Sequence, residues 1–334
     1  MMNNIFNYAP KELVMDAFFA WIFKELNENN LTKYKLQFLN DMKIEGFTNK
    51  SKITDIKKQE CNTDLIITID NKDILFENKT TSTIHSNQLE EYKNNVPNCH
   101  QYIYMKLGYI DFNEKLQAKK HDYIIVGIED IEKALHPIKD CCQIVEQYYA
   151  FLKNKYIEKS ENIQKRMLNN DSTVYEVSDA QRIFLSGLYE KLYGKVKFLK
   201  FKYAANRGGT PWTQLSIAYT SKLYGEKGES IFWRIDKKKE KGYYIALKQY
   251  ADIIDTYKEQ KKKRLNILRI CFNKLLEKKS NLHAGKVSNR GIKSSEIAIF
   301  YFEDNKHEQL SSKLKELSIE FEKEYTTLCK SSSY

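Results

Sequence analysis

At 334 residues, with 42% hydrophobic and 30% charged side chains, the chain lies outside the composition range of disordered sequences and above the size at which a single core stops growing. Lys and Arg outnumber Asp and Glu by 55 to 44. That surplus favours polyanions, nucleic acid first among them, although a Lys-, Asn- and Ile-rich chain with four prolines also fits a genomic composition bias that needs no partner. The N-terminal stretch lacks the basic-then-apolar order of a secretory signal, and its run AFFAWIF is far short of the roughly 20 residues that cross a bilayer. A cytoplasmic protein with no membrane partner is therefore expected. The six cysteines have no CxxC spacing and read as ordinary thiols rather than a zinc site or disulfide framework.

In chain order, Val14, Ala17, Phe18, Trp21 and Ile22 have the spacing of an amphipathic helix over 10–28, with Glu12 and Asp16 one turn apart on a neighbouring face. After a polar connector, ITDIKKQ, DLIITI and ILFENKT read as three strands of a meander, the last two joined by the turn formers DNKD. Residues 85–95 read as a short helix, and QYIYMKLGY and HDYIIVGI as two further strands. Residues 129–168 look helical. A second part opens with a helix over 178–194, in which Ile183, Leu185, Leu188 and Leu192 approximate one face. Antiparallel strands follow in KVKFLKFKYAANRGGTPWTQLSIAYT, ESIFWRID and GYYIALKQY. A Lys-rich helix is expected from about 247 to 280, then a strand EIAIFYFE and a last helix over 306–329. The expected domains are 1–168, with a mixed sheet, and 169–334, an α+β extension of antiparallel strands and long helices.

Residues 64–79, DLIITIDNKDILFENK, hold the most informative charges. Glu-x-Lys also occurs at Glu91-Tyr92-Lys93, Glu259-Gln260-Lys261 and Glu277-Lys278-Lys279, but in polar helical stretches. Only Glu77-Asn78-Lys79 ends an apolar strand directly after a strand that begins with Asp64. Alternation puts Glu77 and Lys79 on one face and Asn78 on the other. With the turn centred on 71 and 72, Asp64 is expected opposite residues 78–80. Two carboxylates and an ammonium then share one rim of the sheet. Asp64, Glu77 and the Asn78 carbonyl suit Mg²⁺, with Mn²⁺ as a substitute, and Lys79 would orient or deprotonate a water or balance charge on a phosphorane.

Asp64 and Glu77-Asn78-Lys79 resemble the D...(D/E)-x-K signature of the PD-(D/E)xK nuclease superfamily, with Thr63 where the family name has proline. Gln88-Leu89-Glu90-Glu91-Tyr92 is similar to the QxxxY motif of RecB-type members. The resemblance covers about residues 10–130. It implies a restriction-endonuclease-like α/β fold with a mixed central sheet flanked by helices, catalytic Asp64, Glu77 and Lys79, and a metal site of Asp64, Glu77, Asn78 and a helix acid. Of the two helix acids, Glu12 is preferred to Asp16. Gln88 and Tyr92 would support the site or touch nucleic acid. The implied activity is Mg²⁺-dependent cleavage of DNA, double-stranded in the first instance, in restriction or phage defence; a homodimer would supply two active sites for a duplex. A binding module of the same fold without catalysis, and a nuclease acting on RNA, are the alternatives.

The second unusual stretch is NRGGTPWTQL, 206–215. Arg207 is a candidate phosphate clamp, and Trp212 either stacks on a base or anchors the second sheet.

Overall fold

The computed structural model describes residues 4–8, 11–28, 31–84, 87–205, 209–239, 241–253, 255–279, 281–288 and 293–331. The chain divides into two compact units, Met1–Asn162 and Ile163–Tyr334. Each combines helices with a five-stranded sheet, mixed in the first unit and antiparallel in the second.

Helix α1 (Lys11–Glu28) buries Met15, Phe18, Phe19, Ile22, Phe23 and Leu26. The expected stripe is rotated: Ala17 is exposed, and Val14 and Trp21 are half-buried. AFFAWIF is apolar on every side, so spacing alone does not select the inward face; packing does. Helix α2 (Lys35–Asp41) lies in the stretch read as a polar connector. It buries Phe38 and Leu39, and the chain after it buries Met42 and Ile44.

Strands β1 (Ile53–Lys58), β2 (Leu65–Ile69) and β3 (Lys72–Lys79) form the expected antiparallel meander. Beyond them β3, β4 (Gln101–Lys106) and β5 (Tyr123–Val126) run parallel, giving the order β1-β2-β3-β4-β5. Parallel neighbours need crossovers. Helix α3 (Gln88–Asn95) supplies the first, and α4 (Phe112–Lys120), which the sequence reading lacked, supplies the second. Asp111 caps α4 in a reciprocal capping box with Glu114. Helices α5 (Ile128–Leu135), α6 (Gln143–Leu152) and α7 (Glu158–Leu168) follow, with a π-helical turn at Lys153–Ile157.

Both faces of the central strands are covered. Ile67, Ile74, Phe76, Ile103 and Met105 belong to the core that includes Phe19, Phe23 and Tyr148. Ile66, Leu75, Tyr102, Tyr104 and Tyr123 pack with Leu89 of α3 and Ala118 of α4. Strands buried on both sides read as continuous apolar runs. A charge inside such a run has no water to solvate it.

In the second unit, α8 (Ser178–Leu192) precedes β6 (Lys200–Ala205), β7 (Pro211–Tyr224), β8 (Lys227–Lys238) and β9 (Gly242–Tyr250). Then come α9 (Lys258–Lys279), β10 (Ser294–Tyr301) and α10 (His307–Ser331). The sheet order is β10-β9-β8-β7-β6. The Lys-rich helix starts later than expected because residues 247–250 pair with both β8 and β10. On α8 it is Phe184 that is buried while Ile183 is half-buried. Trp233 of β8, buried, donates from Nε1 to Ser318 Oγ of α10 at 2.8 Å. Buried Glu229 is fully satisfied by Arg264 at 2.7 Å, Gln249 at 2.6 Å and Tyr224 at 2.8 Å. Among the described residues no helix is long and apolar enough to cross a membrane.

The β2–β3 turn positions everything that follows. Asp70 and Asn71 both have positive φ, 48° and 63°, as a two-residue type I′ hairpin turn requires. Asn tolerates that region and a β-branched residue does not. Asn71→Gly should leave the urea unfolding midpoint unchanged or raised, whereas Asn71→Val should lower stability by about 1–2 kcal/mol.

Candidate active site

The turn falls on residues 70 and 71, so Leu65 pairs with Phe76 and the register continues to set Asp64 across from Glu77. The sequence places Asp64 opposite residues 78–80, so the observed register is shifted toward the hairpin turn. The two carboxylates therefore face each other directly at the mouth of the β2–β3 pair. Asp64 Oδ2 accepts the backbone N–H of Asn78 at 2.7 Å, which fixes the side chain to β3.

Glu77 is fully buried and Lys79 nearly so, with Nζ 2.5 Å from Oε1 of Glu77. Apart from Lys79, no described group donates a hydrogen bond to either Glu77 oxygen. A buried carboxylate left in this state strongly disfavours ionisation. Burial first, and the charge of Asp64 second, push the Glu77 pKa up to about 8, against the pull of Lys79. Burial alone would lower the Lys79 ammonium; Glu77, with Asp64 and Glu12, outweighs it and holds the lysine above its ordinary value.

On the other face of β3, Asn78 Nδ2 donates to Asp16 Oδ1 of α1 at 2.8 Å, while Asn78 Oδ1 is buried without a partner among the described residues. Asp16 is almost fully buried, and burial raises its pKa to about 6; the Asn78 hydrogen bond opposes the rise, and Asp64 and Glu12 add to it. Glu12, one turn earlier, is exposed and accepts from Ser82 Oγ at 2.6 Å. The helix acid tied to β3 is thus Asp16. Glu12 bears on the cluster through its charge.

Helix α3 supplies the next wall. Gln88 Nε2 donates to the Tyr92 hydroxyl at 2.8 Å, and Gln88 Oε1 is buried without a partner among the described residues. Burial raises the Tyr92 pKa; the charges of Glu77 and Asp64 also raise it, which places this hydroxyl within electrostatic range of both carboxylates. Arg207 lies outside the described residues. Trp212 belongs to the second unit, half-buried on β7 opposite Ala204.

Three residues of the same face escaped the sequence reading. In the parallel β3–β4 register Glu77 sits beside Tyr104 and Lys79 beside Lys106. Lys106 is fully buried, 2.5 Å from Glu114 Oε1, and Tyr104 donates to that same oxygen at 2.7 Å. The available signal was the D-x-x-E capping pattern at Asp111 and Glu114, which would have marked a helix start after β4. Among the described residues no group of three or more His, Cys, Asp or Glu side chains forms a metal cage. Asp64 and Glu77, with Asp16 behind them, are the carboxylates on offer.

Comparison with protein-family models, curated proteins and solved structures finds no match to this chain.

Negative charge exceeds positive charge here: Glu12, Asp16, Asp64 and Glu77 influence one another and Lys79 electrostatically, and Lys79 is in direct contact with Glu77. Protons on Glu77 and Asp16 relieve that excess, and a cation would relieve it too. An acid whose folded pKa lies above its unfolded value binds more protons folded than unfolded between the two, so stability falls as pH rises through that window. The windows are 3.8 to about 6 for Asp16 and 4.5 to about 8 for Glu77. Thermal midpoints taken in EDTA should show this decline, and between pH 6 and 8 it should be shallower in Glu77→Gln than in wild type.

Proposed function

We propose that the first unit is a divalent-metal-dependent nuclease of the PD-(D/E)xK kind that hydrolyses phosphodiester bonds of DNA. The observation that carries this reading is the convergence of Asp64, Glu77 and Lys79 at one end of a buried hairpin, with the Glu77 oxygens short of donors. Mg²⁺ accepts one or two protein carboxylates and leaves its remaining positions for water and phosphate, which suits the pair Asp64 and Glu77. Asn78 contributes its carbonyl, and Asp16 rather than Glu12 backs the pair from α1. A divalent cation held there would polarise a phosphoryl oxygen and acidify water.

The chain's own groups divide the remaining work. Lys79, held above its ordinary pKa by Glu77, Asp64 and Glu12, would serve as a hydrogen-bond donor and counter-charge to the pentavalent phosphorus oxygens. Gln88 and Tyr92 close the α3 side and hold each other in place. Asp64, tied to the Asn78 amide, is oriented before any ligand arrives. A basic surplus of 55 over 44 brings the polyanion to the surface. Duplex cleavage by two copies, and a place in restriction or phage defence, belong to the same proposal and rest on the motif resemblance.

Supercoiled plasmid incubated with protein and Mg²⁺ or Mn²⁺ should be nicked or linearised, and EDTA should abolish the reaction. Asp64→Asn, Glu77→Gln and Lys79→Ala should each lower the rate by about 10²-fold or more while leaving DNA binding in EDTA intact. A wild-type protein that binds plasmid and leaves it uncut with both metals is a binding module. Because Glu77 must lose its proton to hold a cation, Mn²⁺ affinity measured by calorimetry should rise between pH 6 and 8 with net proton release. Glu77→Gln should remove both effects.

A further inference from the structure

The second unit carries a groove of about 540 Å³ on the sheet face where β6, β7 and β8 meet. Its floor follows from strand alternation and one irregularity. Gln214 and Ser216 of β7 point into it, opposite Lys202 and Lys200 of β6. The register then slips between Ser216 and Ala218, so Ile217 is the extra residue and Tyr219 returns to the groove side. A bulge re-aims side chains in this way. Tyr219 pairs with Ser230, and Ser230 pairs with Tyr250, so the two tyrosines stand two strands apart on one row, about 9–10 Å.

Both rings are open to solvent. Tyr219 is 52% exposed and Tyr250 39%, and Phe198 stacks on Tyr219 with centroids 5.4 Å apart at 28°. Exposed Lys200, Lys202 and Lys227 line the same groove. Its two carboxylates already have cations: Asp252 lies 2.7 Å from Lys293, and buried Glu229 lies 2.7 Å from Arg264. The three groove lysines are therefore surplus positive charge beside open aromatic faces. Phosphates satisfy the first feature and unpaired bases the second; a duplex keeps its base faces stacked inside and meets only the lysines.

We infer that this sheet face binds single-stranded DNA, with bases stacking on the Phe198–Tyr219 pair and on Tyr250 and the backbone tracking Lys200, Lys202 and Lys227. The choice of DNA rests on the proposed nuclease function; the stacking and charge do not.

The experiment is fluorescence anisotropy of a labelled oligo-dT of about 16 nucleotides with the full chain in EDTA. Tyr219→Ala and Tyr250→Ala should each weaken binding at least fivefold, and Tyr219→Phe should restore it. Lys200→Ala with Lys202→Ala should flatten the plot of log K against log salt by about 1.4, from about 0.7 per single-strand phosphate. Duplex affinity should change less than twofold in the tyrosine variants. Wild-type oligo-dT affinity in Tyr219→Ala/Tyr250→Ala would sink the proposal, as would tenfold tighter binding of the matching RNA. Plasmid cleavage in Mg²⁺ is scored separately. An uncut plasmid with intact, tyrosine-dependent oligo-dT binding overturns the nuclease reading and leaves this site standing. Active cleavage with tyrosine-independent binding does the reverse.

Discussion

The pairing of β2 with β3 is the constraint on which the first unit's site depends. Two residues with positive φ, Asp70 and Asn71, close the hairpin and thereby set which side chains stand opposite one another. A slip of one residue would send every side chain of a strand to the other face. With the observed register Asp64 meets Glu77, the Asn78 amide is free to hold Asp64, and Asn78 turns its side chain to Asp16.

Burial makes the cluster costly and therefore informative. A central strand between two packed faces normally carries apolar residues alone, yet β3 ends in Glu77, Asn78 and Lys79, all almost fully buried. Removing these charges from water is unfavourable unless pairing and hydrogen bonds replace hydration. Lys79 provides part of that replacement and Asp64 works against it, so Glu77 keeps its proton to higher pH than a surface glutamate. By contrast, Glu229 in the second unit is equally buried and has three well-placed donors. The first arrangement leaves bonding capacity for a ligand, and the second leaves none.

Beside the site, β4 repeats the pattern one strand further in. Lys106 and Tyr104 converge on Glu114, which at the same time caps α4. The capping box thus fixes the crossover helix and neutralises a buried lysine with one carboxylate. Its position next to Glu77 and Lys79 extends the polar region across two parallel strands.

Much of this was legible in the residues themselves. Alternation in ILFENK placed Glu77 and Lys79 on one face, turn formers at DNKD announced a hairpin, and the spacing of Gln88 and Tyr92 put them one helical turn apart. Such features are local, set by backbone geometry within a few residues. Others were settled only by packing over long sequence separations. The inward face of α1 was undetermined because AFFAWIF is apolar all round. Helix α2 was hidden in a lysine- and asparagine-rich stretch whose few apolar side chains matter only once they meet a core. That Asp16 and not Glu12 bonds Asn78 depended on which of them reached a residue 62 positions away. The proximity of Tyr104 and Lys106 to the site depended on parallel strands joined by a helix, a pairing that no local pattern specifies. Residue type and spacing determined which groups were available and which way they pointed along each element; the tertiary structure decided which met, because burial and charge act between elements distant in the chain.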